Sequence, residues 1–176
     1  MPRKTPPARP RFVLCAMALE DRTAPAAGDL DLAFNGTGKQ VVPFDLGGAN
    51  SDTGAAVAVQ ADGKIVLVGT VTQATANDTD FAVTRLNPDG SLDTAFGAGG
   101  RQIVAFDLGN RNADRGNAVA IQADGKIVVA GTVDAGPGGT DFGVARLNPD
   151  GSPDATFGPQ GKRVVSFDLG GGHQQQ

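Results

Sequence analysis

The sequence predicts an all-β protein, a repeat array of four-stranded antiparallel β-propeller-type blades amounting to about two full blades plus one strand. Three observations carry this expectation. A unit of about sixty residues recurs along the chain. Within it, short β-branched runs alternate with turns rich in Asp, Gly and Pro. The 176 residues include 26 Gly and 11 Pro but no Trp or Tyr, and Glu20 is the single Glu among 19 acids. Gly supplies positive φ, Pro fixes φ and Asp prefers turns to helix interiors, so the composition favours tight connections over long helices.

The repeat emerges from self-alignment. Gln60-Ala61-Asp62-Gly63-Lys64-Ile65-Val66 returns as Gln122-Ala123-Asp124-Gly125-Lys126-Ile127-Val128, an offset of 62. Asp80-Phe81 returns as Asp141-Phe142, and Arg85-Leu86-Asn87-Pro88-Asp89-Gly90-Ser91 as Arg146-Leu147-Asn148-Pro149-Asp150-Gly151-Ser152, both at an offset of 61. One deletion in the preceding loop accounts for the change. The last part of the unit occurs three times, with Phe34, Phe96 and Phe157 each followed four residues later by Gly38, Gly100 or Gly161. The segments beginning at Lys39, Arg101 and Lys162 then align through Asp45-Leu46-Gly47, Asp107-Leu108-Gly109 and Asp168-Leu169-Gly170. Eight of the nine Phe residues occupy repeat columns, Phe12 being the exception.

Each unit reads as four strands. Ala55–Gln60, rich in Ala and Val, is the first. Asp62-Gly63 predicts a two-residue type I′ hairpin loop, whose central positions both need positive φ. Lys64–Val71 is the second strand, and its run Ile65-Val66-Leu67-Val68 is apolar on both faces, which predicts cover on both. Asp80–Asn87 is the third, closed by Pro88-Asp89-Gly90, where Pro presets the turn and Gly accepts the left-handed position. Gly100–Leu108 is the fourth, and Lys39–Leu46 is its counterpart in the partial first unit, for nine strands in all. Inner strands buried on both faces fit a blade packed between neighbours; a β-solenoid or open hairpin array is the structural alternative.

The chain therefore divides into a basic segment 1–28 that reads as disordered or export-related, repeats over 29–170 (partial unit 29–47, full units 55–109 and 117–170), and a tail 171–176. Propellers close with typically four to eight blades, so about two imply either further repeats or several copies assembling into a ring.

The motifs Gln-Ala-Asp-Gly-Lys-Ile-Val, Asp-Phe, Arg-Leu-Asn-Pro-Asp-Gly-Ser, Asp-x-x-Phe-Gly and the following Gly-[Lys/Arg] resemble the delta-60 repeat family, over roughly residues 29–170. The resemblance implies a propeller fold, usually within large secreted or surface bacterial proteins, and brings no catalytic residue or cofactor. Separately, Arg9-Pro10-Arg11-Phe12 with Leu19-Glu20-Asp21-Arg22-Thr23-Ala24-Pro25-Ala26 is similar to the N-terminal signature of planctomycete extracellular proteins. The basic start, the apolar run Phe12–Leu19 and the small residues at Ala24–Ala27 read as a weak secretory signal, with a disordered tail as the alternative.

Charge and composition bound the chemistry. Arg3, Lys4, Arg9 and Arg11 stand alone at the start, and the rest of the chain holds 11 basic residues against 19 acids. Such an acidic body repels phosphate backbones, so nucleic acid is not an expected partner. No apolar run approaches the roughly 20 residues that span a bilayer. Cys15 is the only Cys, so no internal disulfide forms, and with His173, the only His, it cannot build a Cys/His zinc site. His173 in the tail is also poorly placed to orient a nucleophile.

The recurring carboxylates Asp62/Asp124, Asp80/Asp141, Asp89/Asp150, Asp31/Asp93/Asp154 and Asp45/Asp107/Asp168 read as turn formers and strand-end acceptors, because an acid–base pair needs two different environments. The loop Asn87–Asp93 fails as an EF-hand: Arg85 and Phe96 would fall at ligand positions, though a loop site using Asp89 and Asp93 is an alternative. Gly97-Ala98-Gly99-Gly100 lacks the following helix of a phosphate cradle and reads as a connection. Lys64/Lys126 read as caps of solvated strand starts and Arg85/Arg146 as partners of a neighbouring Asp, with a ring of these bases binding an anion as the alternative.

No catalytic, cofactor-binding or metal residue is assigned. The expected role is a non-catalytic extracellular or cell-surface module, structural or binding, with a glycan or protein partner or copies of itself. The rival is a fragment of a propeller enzyme acting on polysaccharide, for which the one-off polar residues Asp78 and Asp134 would be the candidates.

Overall fold

A computed structural model describes residues 26–46, 51–74, 78–108, 112–136 and 139–167. The expectations placed on Phe12–Leu19, Cys15 and His173 lie outside these residues. The described chain forms two four-stranded antiparallel sheets, each in sequential order. The first blade comprises β1 (Thr53–Val59), β2 (Ile65–Thr72), β3 (Thr79–Leu86) and β4 (Arg101–Val104). The second comprises β5 (Arg115–Ile121), β6 (Ile127–Asp134), β7 (Thr140–Leu147) and β8 (Lys162–Val165). The register repeats with the sequence: Phe81 pairs with Val104 and Phe142 with Val165. This is the architecture of part of a β-propeller.

Three local expectations are corrected. The loop after β1 is not a two-residue type I′ turn. Asp62 is not among the residues of positive φ, whereas Gly63 has φ +81°. Gly63 N donates to Gln60 O at 2.9 Å and Gln60 N to Lys64 O at 2.8 Å, so the chain makes a β-turn followed by one left-handed Gly. Asp62 holds that geometry by accepting the Lys64 N–H at 3.1 Å.

The fourth strands span four residues rather than Gly100–Leu108. Past Val104 the chain leaves the ladder, since Phe106 N donates to the Asp114 carboxylate and Asp107 takes φ +47°. Lys39–Leu46 is not a strand, which leaves eight strands among the described residues, not nine. A fourth strand needs a third strand beside it, and none among the described residues flanks this segment.

The core lies between the blades. Val66, Val68, Phe81, Val83, Phe96, Val104 and Phe106 of the first blade pack with Ile127, Val129, Val133, Ala145 and Leu147 of the second. The two apolar faces of the second strands are therefore buried unequally. In β2 the side bearing Val66 and Val68 is buried and that bearing Ile65 and Leu67 half-buried; in β6 Ile127 and Val129 are buried and Val128 and Ala130 half-buried. Each blade has one face sealed by the other and one face open or part-covered.

Candidate functional site

The joint between the blades is built from rings seated on glycines. A Cβ added to Gly131 would lie 2.8 Å from Phe81 Cζ, one on Gly143 3.0 Å from Phe106 Cζ, and one on Gly151 2.8 Å from the Phe96 ring. Only glycine admits the rings this closely. Phe81 and Phe106 also pair, with centroids 5.0 Å apart. Backbone and side chain complete the contact, through Gly97 N donating to Asp150 O at 2.7 Å and Arg85 Nη1 to Pro149 O.

Each blade contains the same ionic cluster. Asp93 Oδ2 accepts from Lys64 Nζ and Arg85 Nε, both at 2.7 Å, while Arg85 lies 4.7 Å over the Phe96 ring. Asp154 Oδ2 accepts from Lys126 Nζ at 3.1 Å and Arg146 Nε at 2.7 Å, and Arg146 lies 4.8 Å over Phe157. Burial pushes the Asp93 carboxyl up, but Lys64 and Arg85 outweigh it and hold the acid below its ordinary range. Thr156, whose hydroxyl donates at 2.7 Å, leads in lowering Asp154, aided by Lys126 and Arg146.

The expected Arg–Asp pairing is present, but Lys64 and Lys126 are corrected from strand-start caps to members of these clusters. The four bases of the anion-binding alternative are thus engaged with carboxylates. Asp89 and Asp150 accept from Ser91 and Ser152, whose N–H and hydroxyl both bind the same carboxylate oxygen, so Asp89 and Asp93 serve separate partners. Gly97–Gly100 is a turn into β4: Ala98 N donates to Arg101 O and Gly100 N to Phe96 O.

The second feature is an acidic end of the joint. Asp114 accepts from Phe106 N at 2.9 Å and Asp134 N at 3.0 Å, fastening the outer edge of one blade to β6 of the other. Asp52 repeats part of this bond, accepting from Phe44 N at 3.2 Å. The column Asp52/Asp114 recurs at an offset of 62 but belongs to no motif, and its role depends on the backbone of the preceding unit.

Asp80 is 2 % exposed, accepts from Gln73 Nε2, and has a buried Oδ1 with no hydrogen-bond partner. Burial raises the Asp80 and Asp114 carboxyls, against their hydrogen bonds. Asp78 and Asp107 add to the effect at Asp80, and Asp107 and Asp134 at Asp114. The structure thus brings the one-off Asp78 and Asp134 to the edges of one acidic region. Asp134 also bonds Gly136 N at 2.8 Å. The Asp80 and Asp114 carboxyls can hold protons above the usual carboxylate range, but no group of three or more His, Cys, Asp or Glu among the described residues is arranged to hold a metal. No helix among them is long and apolar enough to cross a membrane.

The third feature is the outer face of the second blade. Phe142 is 58 % exposed and Phe167 65 %, their rings 5.6 Å apart, where their counterparts Phe81 and Phe106 are 0 % and 7 % exposed. No curated protein and no solved structure matches the chain. Residues 60–96 and 122–157 match the family described as "Domain of unknown function (DUF5122) beta-propeller", so each blade contains a stretch similar to that propeller repeat.

Proposed function

We propose that the protein is a non-catalytic β-propeller repeat module, acting outside the cell or at its surface in a structural or binding role. The observation that supports this is the duplicate use of the polar residues. The Lys–Arg–Asp cluster and the Asp–Ser turn recur in both blades with the same partners, so the repeat's charged chemistry is absorbed by architecture. The extracellular part rests on the resemblance to delta-60 repeats and on the basic, then apolar, N-terminal segment. A surface glycan or a protein is the partner class.

Two measurements test the reading. An alkaline phosphatase reporter fused after residue 46 should be active, since that enzyme matures only outside the cytoplasm; an inactive, cytoplasmic fusion overturns the location. The purified chain incubated with polysaccharides should release no reducing ends. Release that disappears in Asp80→Asn or Asp134→Ala would establish catalysis instead.

A further inference from the structure

The blade joint uses three rings, Phe81, Phe96 and Phe106, in three seats on the second blade, at Gly116/Gly131, Gly151 and Gly143. The front of the first blade carries matching glycines at Gly54/Gly69 and Gly90, while Ala82 stands where the second blade has Gly143. Residues 29–46 occupy the Gly90 seat and border the other. Phe34 stands on Gly90, where an added Cβ would lie 2.8 Å from its ring, and Asn35 N donates to Asp89 O as Gly97 N does to Asp150 O. Phe44 lines a cleft of about 180 Å³ together with Gly54, Gly69 and Ala82.

The Gly54/Gly69 seat is open. A Cβ on Gly54 would meet nothing within 4 Å, whereas one on its counterpart Gly116 would lie 3.4 Å from Phe81. Beside it Val57 and Val59 are 63 % and 66 % exposed, while their counterparts Val119 and Ile121 pack against the core.

The back of the second blade bears the complementary set, with Phe142 and Phe167 exposed as a pre-formed pair and Phe157 after β7 in the position of Phe96. We infer that the back of the second blade docks on the front of the first blade of another copy of this chain, repeating the internal joint, with Phe142 in the Gly54/Gly69 seat. Phe157 then takes the seat of Phe34 on Gly90, and Phe167 replaces Phe44 beside Ala82.

Residues 29–46 give way because β8 is already paired with β7 over four residues, whereas 39–46 pairs with no strand and leaves Val41 82 % exposed. The exchanged segments are near-duplicates, Lys39-Gln40-Val41-Val42 against Lys162-Arg163-Val164-Val165, so the swap itself is nearly neutral. The net gain is the burial of Phe142, Val57 and Val59. Residues 29–46 thus act as a plug over part of a docking site. Such a contact is heterologous and propagates until it closes. The inference rests on the blade geometry and is independent of where the protein acts.

Sedimentation equilibrium of the full chain from micromolar to millimolar concentration tests it. Wild type should self-associate above 17.8 kDa. Phe142→Asp and Gly54→Leu, both at open positions of the free chain and with unchanged circular dichroism, should each weaken association about tenfold or more. An equimolar mixture of the two should form a 1:1 dimer and nothing larger, because each retains the face the other lacks. Phe34→Ala, which loosens the plug, should tighten association. A wild type monomeric throughout, association indifferent to both blocking variants, or weaker association of Phe34→Ala would each overturn the inference.

Discussion

Truncating Phe81 and Phe142 to Ala compares one repeat position in two surroundings. Both residues stand at the same register opposite the fourth strand, paired with Val104 and Val165 respectively. Both lie beside a second Phe at 5.0 or 5.6 Å. They differ in what covers them: Phe81 is 0 % exposed beneath Gly116 and Gly131, whereas Phe142 is 58 % exposed. A fully buried Phe→Ala truncation leaves a cavity and costs about 3–5 kcal/mol. At Phe142 less than half of the ring's area leaves water and no closed cavity forms, so the cost is about 1–2 kcal/mol. Urea unfolding at low micromolar concentration, where self-association is minimal, should therefore separate the two by about 2–3 kcal/mol at unchanged m-value. If Phe81→Ala leaves no folded baseline, Phe81→Leu supplies a smaller cut at the same site. Equal losses in dilute solution would refute the assignment of the second blade's back as an open face.

The ionic clusters make a second comparison: Asp93→Ala should cost about 3–5 kcal/mol, because it strands the buried Arg85 beside Lys64. Asp154→Ala should cost less in the same urea titration, since the Arg146 side chain is 22 % exposed against 8 % for Arg85. Gly116→Ala should destabilise by about 1–3 kcal/mol, as its Cβ would lie 2.6 Å from Gly69 O, while Gly54→Ala, with open space, should stay within about 0.5 kcal/mol of wild type in thermal unfolding. Stability against pH should respond to two opposed groups of carboxyls. Asp93 and Asp154 are lowered, so their contribution is present above the unfolded value of about 3.9 and is lost as acid protonates them in the folded state; Asp93→Asn should flatten that acid limb. Asp80 is raised, so its contribution is full below about 3.9 and is lost as pH rises through its folded value; Asp80→Asn should remove that decline, and an unchanged profile would contradict the burial assigned to this carboxyl.

The sequence alone yields the repeat, the first three strands of each unit and most of the turns, because these depend on neighbours a few residues apart. Asn87-Pro88-Asp89-Gly90 makes its turn as expected, with Gly90 at φ +83° and Gly90 N donating to Asn87 O at 2.9 Å. Arg85 finds an Asp because both recur at fixed spacing in a local motif. The Asp62-Gly63 loop escaped by one residue, since an Asp-Gly pair suits either a type I′ turn or the left-handed end of a longer loop, and the Lys64 N–H bond to Asp62 selects the second.

What tertiary structure alone decided is which copy of each repeated residue is covered. Phe81 and Phe142 are one residue in the repeat, yet one is core and the other surface. Lys39–Leu46 matches the sequence of a fourth strand and is not one, because strand pairing needs a neighbour that sequence similarity does not supply. Asp52/Asp114 likewise gains its meaning from the backbone of the adjoining unit. A repeat encodes the blade; its surroundings determine whether a given face is an interior or a docking surface.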